Sequence, residues 1–209
     1  MVIYSTEQVS PEVIKITSDT GLAFFIRTTF LKIVSPAAIE KDAEFSEEEE
    51  DDIIDAGMTY SAECKAVEYL ARAEQCRFNL AQKLLKKNYE RKYIDAALDY
   101  LEEKNYLNDG RFARAWLNSR KINHYEGRKR LLAELLSRGI SKEDSCEALD
   151  EFFAENPEEA LCEKAYHKYV RAGKSEEALI RSMTGAGFSY QLIKRTIRNA
   201  ENEGLPESN

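Results

Sequence analysis

The stretch LLAELLSRGISKEDSCEAL, Leu131–Leu149, decides how the chain is read. Gly139 sits where a helix would end, because glycine enters the left-handed conformation of a helix C′ position without a Cβ penalty. The next residue, Ile140, is apolar, and so is Leu135 at the C3 position. That pair is the hydrophobic contact that accompanies a Schellman ending. Ser141 follows as a good N-cap, and Ala148, Leu149, Phe152 and Phe153 then recur at helical spacing. The stretch reads as helix, tight turn, helix.

Two other stretches align with it without gaps: LAQKLLKKNYERKYIDAAL from Leu80 and LIRSMTGAGFSYQLIKRTI from Leu179. Asn88 and Gly187 occupy the place of Gly139. Tyr89 and Phe188 follow them, and Leu84 and Met183 stand at C3. Ser189 is a good N-cap and Glu90 a poorer one. The apolar stripes are Ile94, Ala97, Leu98 and Leu101 in one copy and Leu192, Ile193, Thr196 and Ile197 in the other. An additional helix precedes each pair, marked by Cys64, Val67, Tyr69 and Leu70, by Phe112 to Ile122, and by Leu161, Ala165, Tyr166 and Tyr169. One such repeat is too small to bury a large core, so neighbouring repeats are expected to share burial.

Asn108-Asp109-Gly110 would suggest a hairpin between strands, but neither flank alternates with period two. It is expected to join two helical repeats, with Asn108 or Asp109 capping the new helix and with Phe112 and Trp116 facing a core one turn apart. The first 58 residues differ. VIKIT and LAFFIRTTFLKIV are rich in β-branched and aromatic residues and flank SDTG, which reads as a β-hairpin. The acidic EKDAEFSEEEEDD after it is a solvated linker or the start of a helix. The expected organisation is a hairpin extension and acidic linker over 1–58, three-helix repeats over 59–107, 108–156 and 157–200, and a disordered tail over 201–209. The fold class is mainly α: tandem three-helix repeats in an elongated curved array with a short N-terminal β-hairpin segment.

Of the 209 residues, 33% are charged. No apolar run approaches the ~20 residues that span a bilayer. No basic region followed by an apolar stretch opens the chain, so a cytoplasmic location is expected. Cys64, Cys76, Cys146 and Cys162 lie far apart and form no C-x-x-C, which suits reduced thiols rather than a disulfide framework. The net charge of −8 hides an asymmetry: residues 1–58 carry −9, residues 77–142 carry +8 and residues 143–209 carry −6. A basic centre between acidic ends favours a phosphate backbone or an acidic protein surface as partner.

Little in the chain looks catalytic. His124 and His167 form no metal-ligand pattern, and no cysteine is spaced as a co-ligand. RAGKSEE, Arg171–Glu177, resembles the end of a phosphate-binding loop but lacks the upstream glycine and strand, so Gly173 reads as a helix end and Ser175 as a cap. No cofactor or metal is expected. The candidate partner-binding residues are cations of the central segment: Arg111, Arg114, Arg120 and Lys121 after the NDG turn, then Arg128, Lys129 and Arg130. Tyr106, Trp116 and Tyr125 are interleaved with them, as in nucleic-acid surfaces.

Tyr106, Leu107, Asn108, Asp109, Arg111, Phe112 and Ala113, followed by Gly127 before a basic helix and by the turn Arg138-Gly139-Ile140, resemble the central signature of the RecX family, bacterial regulators of the RecA recombinase. The resemblance is strong across the second repeat, fair across the first and third, and weak in the hairpin segment. It implies tandem three-helix repeats and a non-enzymatic modulator that lies in the groove of the RecA filament on single-stranded DNA. There it would inhibit ATP hydrolysis and strand exchange. The implied partner is that filament, bound by a monomer, with weak direct DNA binding and no membrane. Many relatives are strongly basic whereas this chain is acidic overall. The alternatives are a sequence-independent DNA-binding protein and a helical adaptor for other partners.

Overall fold

The computed structural model describes residues 1–120 and 124–203. Its backbone gathers into two compact units, Met1–Asn108 and Asp109–Asn209. The first unit contains strands β1 (Ile3–Ser10), β2 (Val13–Ser18) and β3 (Ala23–Arg27) and helices α1 (Glu47–Leu70), α2 (Arg77–Leu85) and α3 (Arg91–Glu103). The second contains α4 (Asp109–Arg120), α5 (Arg128–Leu136), α6 (Lys142–Glu155), α7 (Glu158–Arg171), α8 (Glu176–Gly185) and α9 (Tyr190–Glu203). The chain is therefore mainly α, built from three tandem three-helix repeats behind a short β segment. Within each repeat the first helix packs along the third: α1 on α3, α4 on α6, α7 on α9.

The repeat is set by its turns. Asn88, Gly139 and Gly187 have φ of 65°, 77° and 94°. In each copy the C″ amide donates to the C3 carbonyl, Tyr89 to Leu84, Ile140 to Leu135 and Phe188 to Met183, all at 3.3 Å. The C′ amide donates to the C2 carbonyl, Asn88 to Leu85 at 2.9 Å, Gly139 to Leu136 and Gly187 to Thr184 at 3.0 Å. These are the paired bonds of the Schellman motif, which satisfy carbonyls that a helix end would otherwise leave bare. The side chains follow: Phe188 and Met183 share one buried cluster, and Tyr89 packs on the cluster that holds Leu84. The next helices open at Ser141, whose side chain accepts from the Asp144 amide, and at Ser189, which accepts from Leu192; Glu90 makes no side-chain cap. The same turn recurs at Asn105, φ 57°, where α3 ends, and α4 begins at Asp109. Asn-Asp-Gly is thus a joint between helices.

The β2–β3 hairpin forms with Val13 opposite Arg27 and Thr17 opposite Ala23. A further strand, β1, pairs antiparallel with β2 to make a three-stranded meander, order β1-β2-β3. Ile3, Ile14, Ile16 and Ile26 pack with Ile53 and Ala56 of α1, which gives the hairpin the support it needs. Arg27 fastens the edge of the meander. Its Nε and Nη2 donate to the Glu63 carboxylate at 2.7 and 2.6 Å, Nη1 reaches Glu12 at 2.9 Å, and the guanidinium lies 4.6 Å from the Tyr100 ring centre. Asp52 ties down the following loop, accepting the amides of Lys32, Ile33 and Val34 at 2.9–3.1 Å.

Of the two readings open for the acidic stretch, the start of a helix is the one observed: Ser46 and Glu49 form a capping box, and Glu47–Glu50 occupy the positive end of the helix dipole. The boundary placed at residue 58 therefore falls inside α1. At the other end α9 runs to Glu203, three residues into the expected tail; residues 204–209 lie outside the described residues. Phe112 and Trp116 are half-buried, while Gly110, Ala113 and Leu117 form the buried line of α4 against α6. Small residues let the two helices approach, and the aromatics flank the contact. On α1, Cys64 and Val67 are exposed, and Ala62, Glu63 and Ala66 face inward instead. All four cysteines are free thiols.

Candidate functional site

α4 carries Arg111, Arg114 and Arg120 and α5 carries Arg128, Lys129 and Arg130, and four of these, Arg114, Arg120, Arg128 and Arg130, meet carboxylates of their own unit. Arg114 on α4 donates through Nε and Nη2 to Glu151 of α6 at 2.7 and 2.9 Å and lies 3.1 Å from Glu147. The hydrogen bond to Glu151 raises the guanidinium pKa and holds the Glu151 carboxyl below its usual range. Arg128, on the first turn of α5, pairs with Asp150 of the same acidic stripe, and its backbone amide donates to Glu158 at 2.8 Å.

Arg120 and Arg130 converge on Glu126. Arg120 donates to it through Nε and Nη2 at 2.9 and 2.7 Å, and Arg130 Nε lies 2.9 Å away. Glu126 is buried at 7% exposure, so this cluster is of a different kind from the exposed pairs on α6. Removing both cations would leave a buried carboxylate uncompensated, which costs far more than losing a solvated pair. Lys129 is exposed and has no carboxylate partner among the described residues. Arg111 is half-buried at the start of α4, and Lys121 lies outside the described residues.

The central cations therefore divide. Arg120 of α4 and Arg130 of α5 meet on Glu126. Arg114 and Arg128 make exposed pairs with α6, of the sort worth about 0–1 kcal/mol, which a partner's anions can replace at little cost. Glu126 itself was not singled out in the sequence; the signal was present as one carboxylate directly before a Gly-Arg-Lys-Arg run. Trp116 lies beside the same cluster, with the Arg138 and Arg120 guanidinium groups 4.6 and 5.4 Å from its ring. Its face is taken by cation–π contacts inside the chain.

Among the described residues no group of three or more His, Cys, Asp or Glu side chains could hold a metal ion. His167 is exposed with Glu163 at 3.8 Å. Gly173, φ 68°, ends α7, and Ser175 caps α8 through the Ala178 amide, so the RAGKSEE stretch is a helix joint. Among the described residues no helix is long and apolar enough to cross a membrane.

Three-helix repeats closed by Schellman turns, with a paired cationic surface on the central repeat, define a tandem helical-repeat protein. Residues 65–101 match the family model for the first three-helix domain of RecX, and residues 108–149 match that for the second. A "Regulatory protein RecX" from Treponema pallidum is 39% identical over 145 residues, covering 69% of this chain and 88% of the relative. Another from Clostridioides difficile is 28% identical over 184 residues, 86% of each chain. A crystal structure of regulatory protein RecX superposes with a TM-score of 0.73 at 20% identity, covering 93% of this chain and 98% of that one. RecX from Lactobacillus salivarius gives 0.59 at 18% identity, over 69% and 97%. The chain belongs to the RecX family of regulatory proteins.

Proposed function

We propose that this protein regulates the RecA recombinase by binding RecA filaments on single-stranded DNA and inhibiting ATP hydrolysis and strand exchange, in recombination, DNA repair and the SOS response. It would do so as a cytoplasmic monomer. The observation that carries the reading is membership of the RecX family. It is supported by the +8 charge of residues 77–142 within an acidic chain. A filament offers both phosphates and acidic side chains, whereas on free DNA the net negative charge of the two ends weakens long-range attraction.

The geometry supports a specific form of contact. Arg114 and Arg128 would exchange their exposed α6 carboxylates for anions of the filament, and Arg111 and Lys129 would add contacts beside them. Arg120 and Arg130 would contribute by keeping α4 and α5 in place around Glu126. The test is to measure binding to RecA–single-stranded-DNA filaments, to naked DNA and to DNA-free RecA under one set of conditions. Preferential binding to the filament is expected. Equal affinity for naked DNA and filament would favour a general DNA-binding protein instead.

A further inference from the structure

A cationic groove built on α7 carries lysine and arginine side chains that make no ion pair among the described residues. An open groove of about 480 Å³ is lined by Tyr125, Lys164, His167, Lys168 and Arg171. Lys164, Lys168 and Arg171 stand at i, i+4 and i+7 on α7, so they share one face and span roughly 10 Å along the helix. All three are exposed, and none makes an ion pair among the described residues. Of the α7 carboxylates, Glu159 pairs with Arg195 at 3.0 Å and Glu158 accepts the Arg128 amide, while Glu163 lies 3.8 Å from His167 of the groove lining. Tyr125 is half-buried against the core of the third repeat, and Lys168 Nζ lies 5.8 Å from its ring centre.

We infer that this groove is a binding site for single-stranded nucleic acid, with the three α7 cations on the sugar–phosphate backbone and Tyr125 as a stacking platform for a base. Unpaired cations alone would suit any polyanion. The aromatic ring held beside them is what selects a strand of bases, since every base has a π-face and an acidic peptide has none. The ring is anchored by the core and the lysines are long and mobile, an arrangement that accepts any sequence. Direct readout of base edges needs a fixed pattern of donors and acceptors, and the lining offers long flexible cations, one phenol hydroxyl and His167 instead of an Asn, Gln, Asp or Glu. The site is therefore sequence-independent; its cations stand on α7 rather than among the α4 and α5 cations proposed for the filament, while Tyr125 comes from the segment between α4 and α5.

The test uses the full chain and a fluorescent thymidine oligonucleotide, with binding followed by anisotropy across a salt series. Each phosphate contact on a single strand contributes about 0.7 to the slope of log affinity against log salt. Lys164→Ala/Lys168→Ala/Arg171→Ala should weaken binding on the order of tenfold or more at low salt and reduce the slope by about 2. A control triple that removes equal charge elsewhere, Lys142→Ala/Arg181→Ala/Arg198→Ala, should leave the slope nearly unchanged. Tyr125→Leu keeps an apolar side chain on the core and should weaken binding with the slope intact. Circular dichroism establishes that each variant is folded. An equal loss in both triples, no binding by the wild type, or polyglutamate competing as well as the oligonucleotide with Tyr125→Leu neutral would each overturn the assignment. No recombinase is present, so these outcomes are read independently of any effect on RecA.

Discussion

Three glycine substitutions can separate the two physical reasons for glycine, two of them where the second and third repeats meet and one inside the third. Gly187 has φ 94°, and a Cβ built on it would lie 2.5 Å from the Arg130 Cβ and backbone nitrogen. Gly173 has φ 68° and nothing within 4 Å of such a Cβ. Gly127 is extended, φ −84°, but its Cβ would lie 2.6 Å from the Gly187 carbonyl. Its amide also donates to the Ala186 carbonyl at 2.8 Å, so the two backbones are held together. Gly173→Ala should therefore cost only the left-handed conformational penalty, about 1–2 kcal/mol. Gly127→Ala should cost only the forced separation, about 1–3 kcal/mol by analogy with overpacked cores. Gly187→Ala should cost both, about 2–5 kcal/mol. The Gly127→Ala/Gly187→Ala double variant should be less destabilised than the two singles combined, since one backbone shift relieves both clashes. Urea unfolding followed by the fluorescence of Trp116, the one tryptophan, reports on the unit that contains all three sites. If Gly173→Ala proves as costly as Gly187→Ala, or the double variant is additive, the close approach contributes nothing and the reasoning fails.

Arg27→Ala should destabilise by about 3–5 kcal/mol, because Glu63, at 5% exposure, is left as an uncompensated buried carboxylate; a chemical denaturation midpoint near that of wild type would contradict it. For Asp52, burial pushes the carboxyl pKa up, but the Val34, Ile33 and Lys32 amides outweigh it and hold the group below its usual range. Its contribution is thus present above the unfolded value of about 3.9 and lost as pH falls through the lower folded value. Wild type should lose its advantage over Asp52→Asn progressively below about pH 4, and a pH-independent difference in melting temperature would refute the assignment. Trp116→Ala should cost about 1–3 kcal/mol rather than the ~3–5 of a fully buried tryptophan, as its ring is half-buried under two guanidinium groups; thermal melts decide between the two ranges.

The turns were legible because their signal is local. A left-handed C′ residue, an apolar residue after it and an apolar C3 residue lie within six positions, and no tertiary context is needed to read them. Helix faces were less legible. On α4 the large apolar residues are Phe112 and Trp116, but the buried line is Gly110, Ala113 and Leu117, the last two each one position beyond an aromatic. β1 gave no signal because only Ile3 in it is buried. The strand is held by its ladder to β2 rather than by an alternating face. The charge count located the basic segment but not its pairing, since the carboxylates that neutralise Arg114 and Arg128 sit on α6, outside that window. The α7 groove was hidden for the same reason: its cations fall in a stretch that totals −6, with the acids on other faces and helices.

The central claim is that the central cationic surface acts on the RecA filament. It is tested most directly by titrating RecA ATPase on single-stranded DNA with wild type and with the folded triple reversal Arg111→Glu/Arg128→Glu/Lys129→Glu. These positions spare the buried Glu126 cluster, and circular dichroism confirms that both proteins are folded. Wild type should inhibit, and the reversal should require a higher concentration for the same inhibition, with the gap narrowing at high salt as screening weakens the attraction that only wild type retains. Superimposable inhibition curves, or no inhibition by wild type at any concentration, would contradict the account.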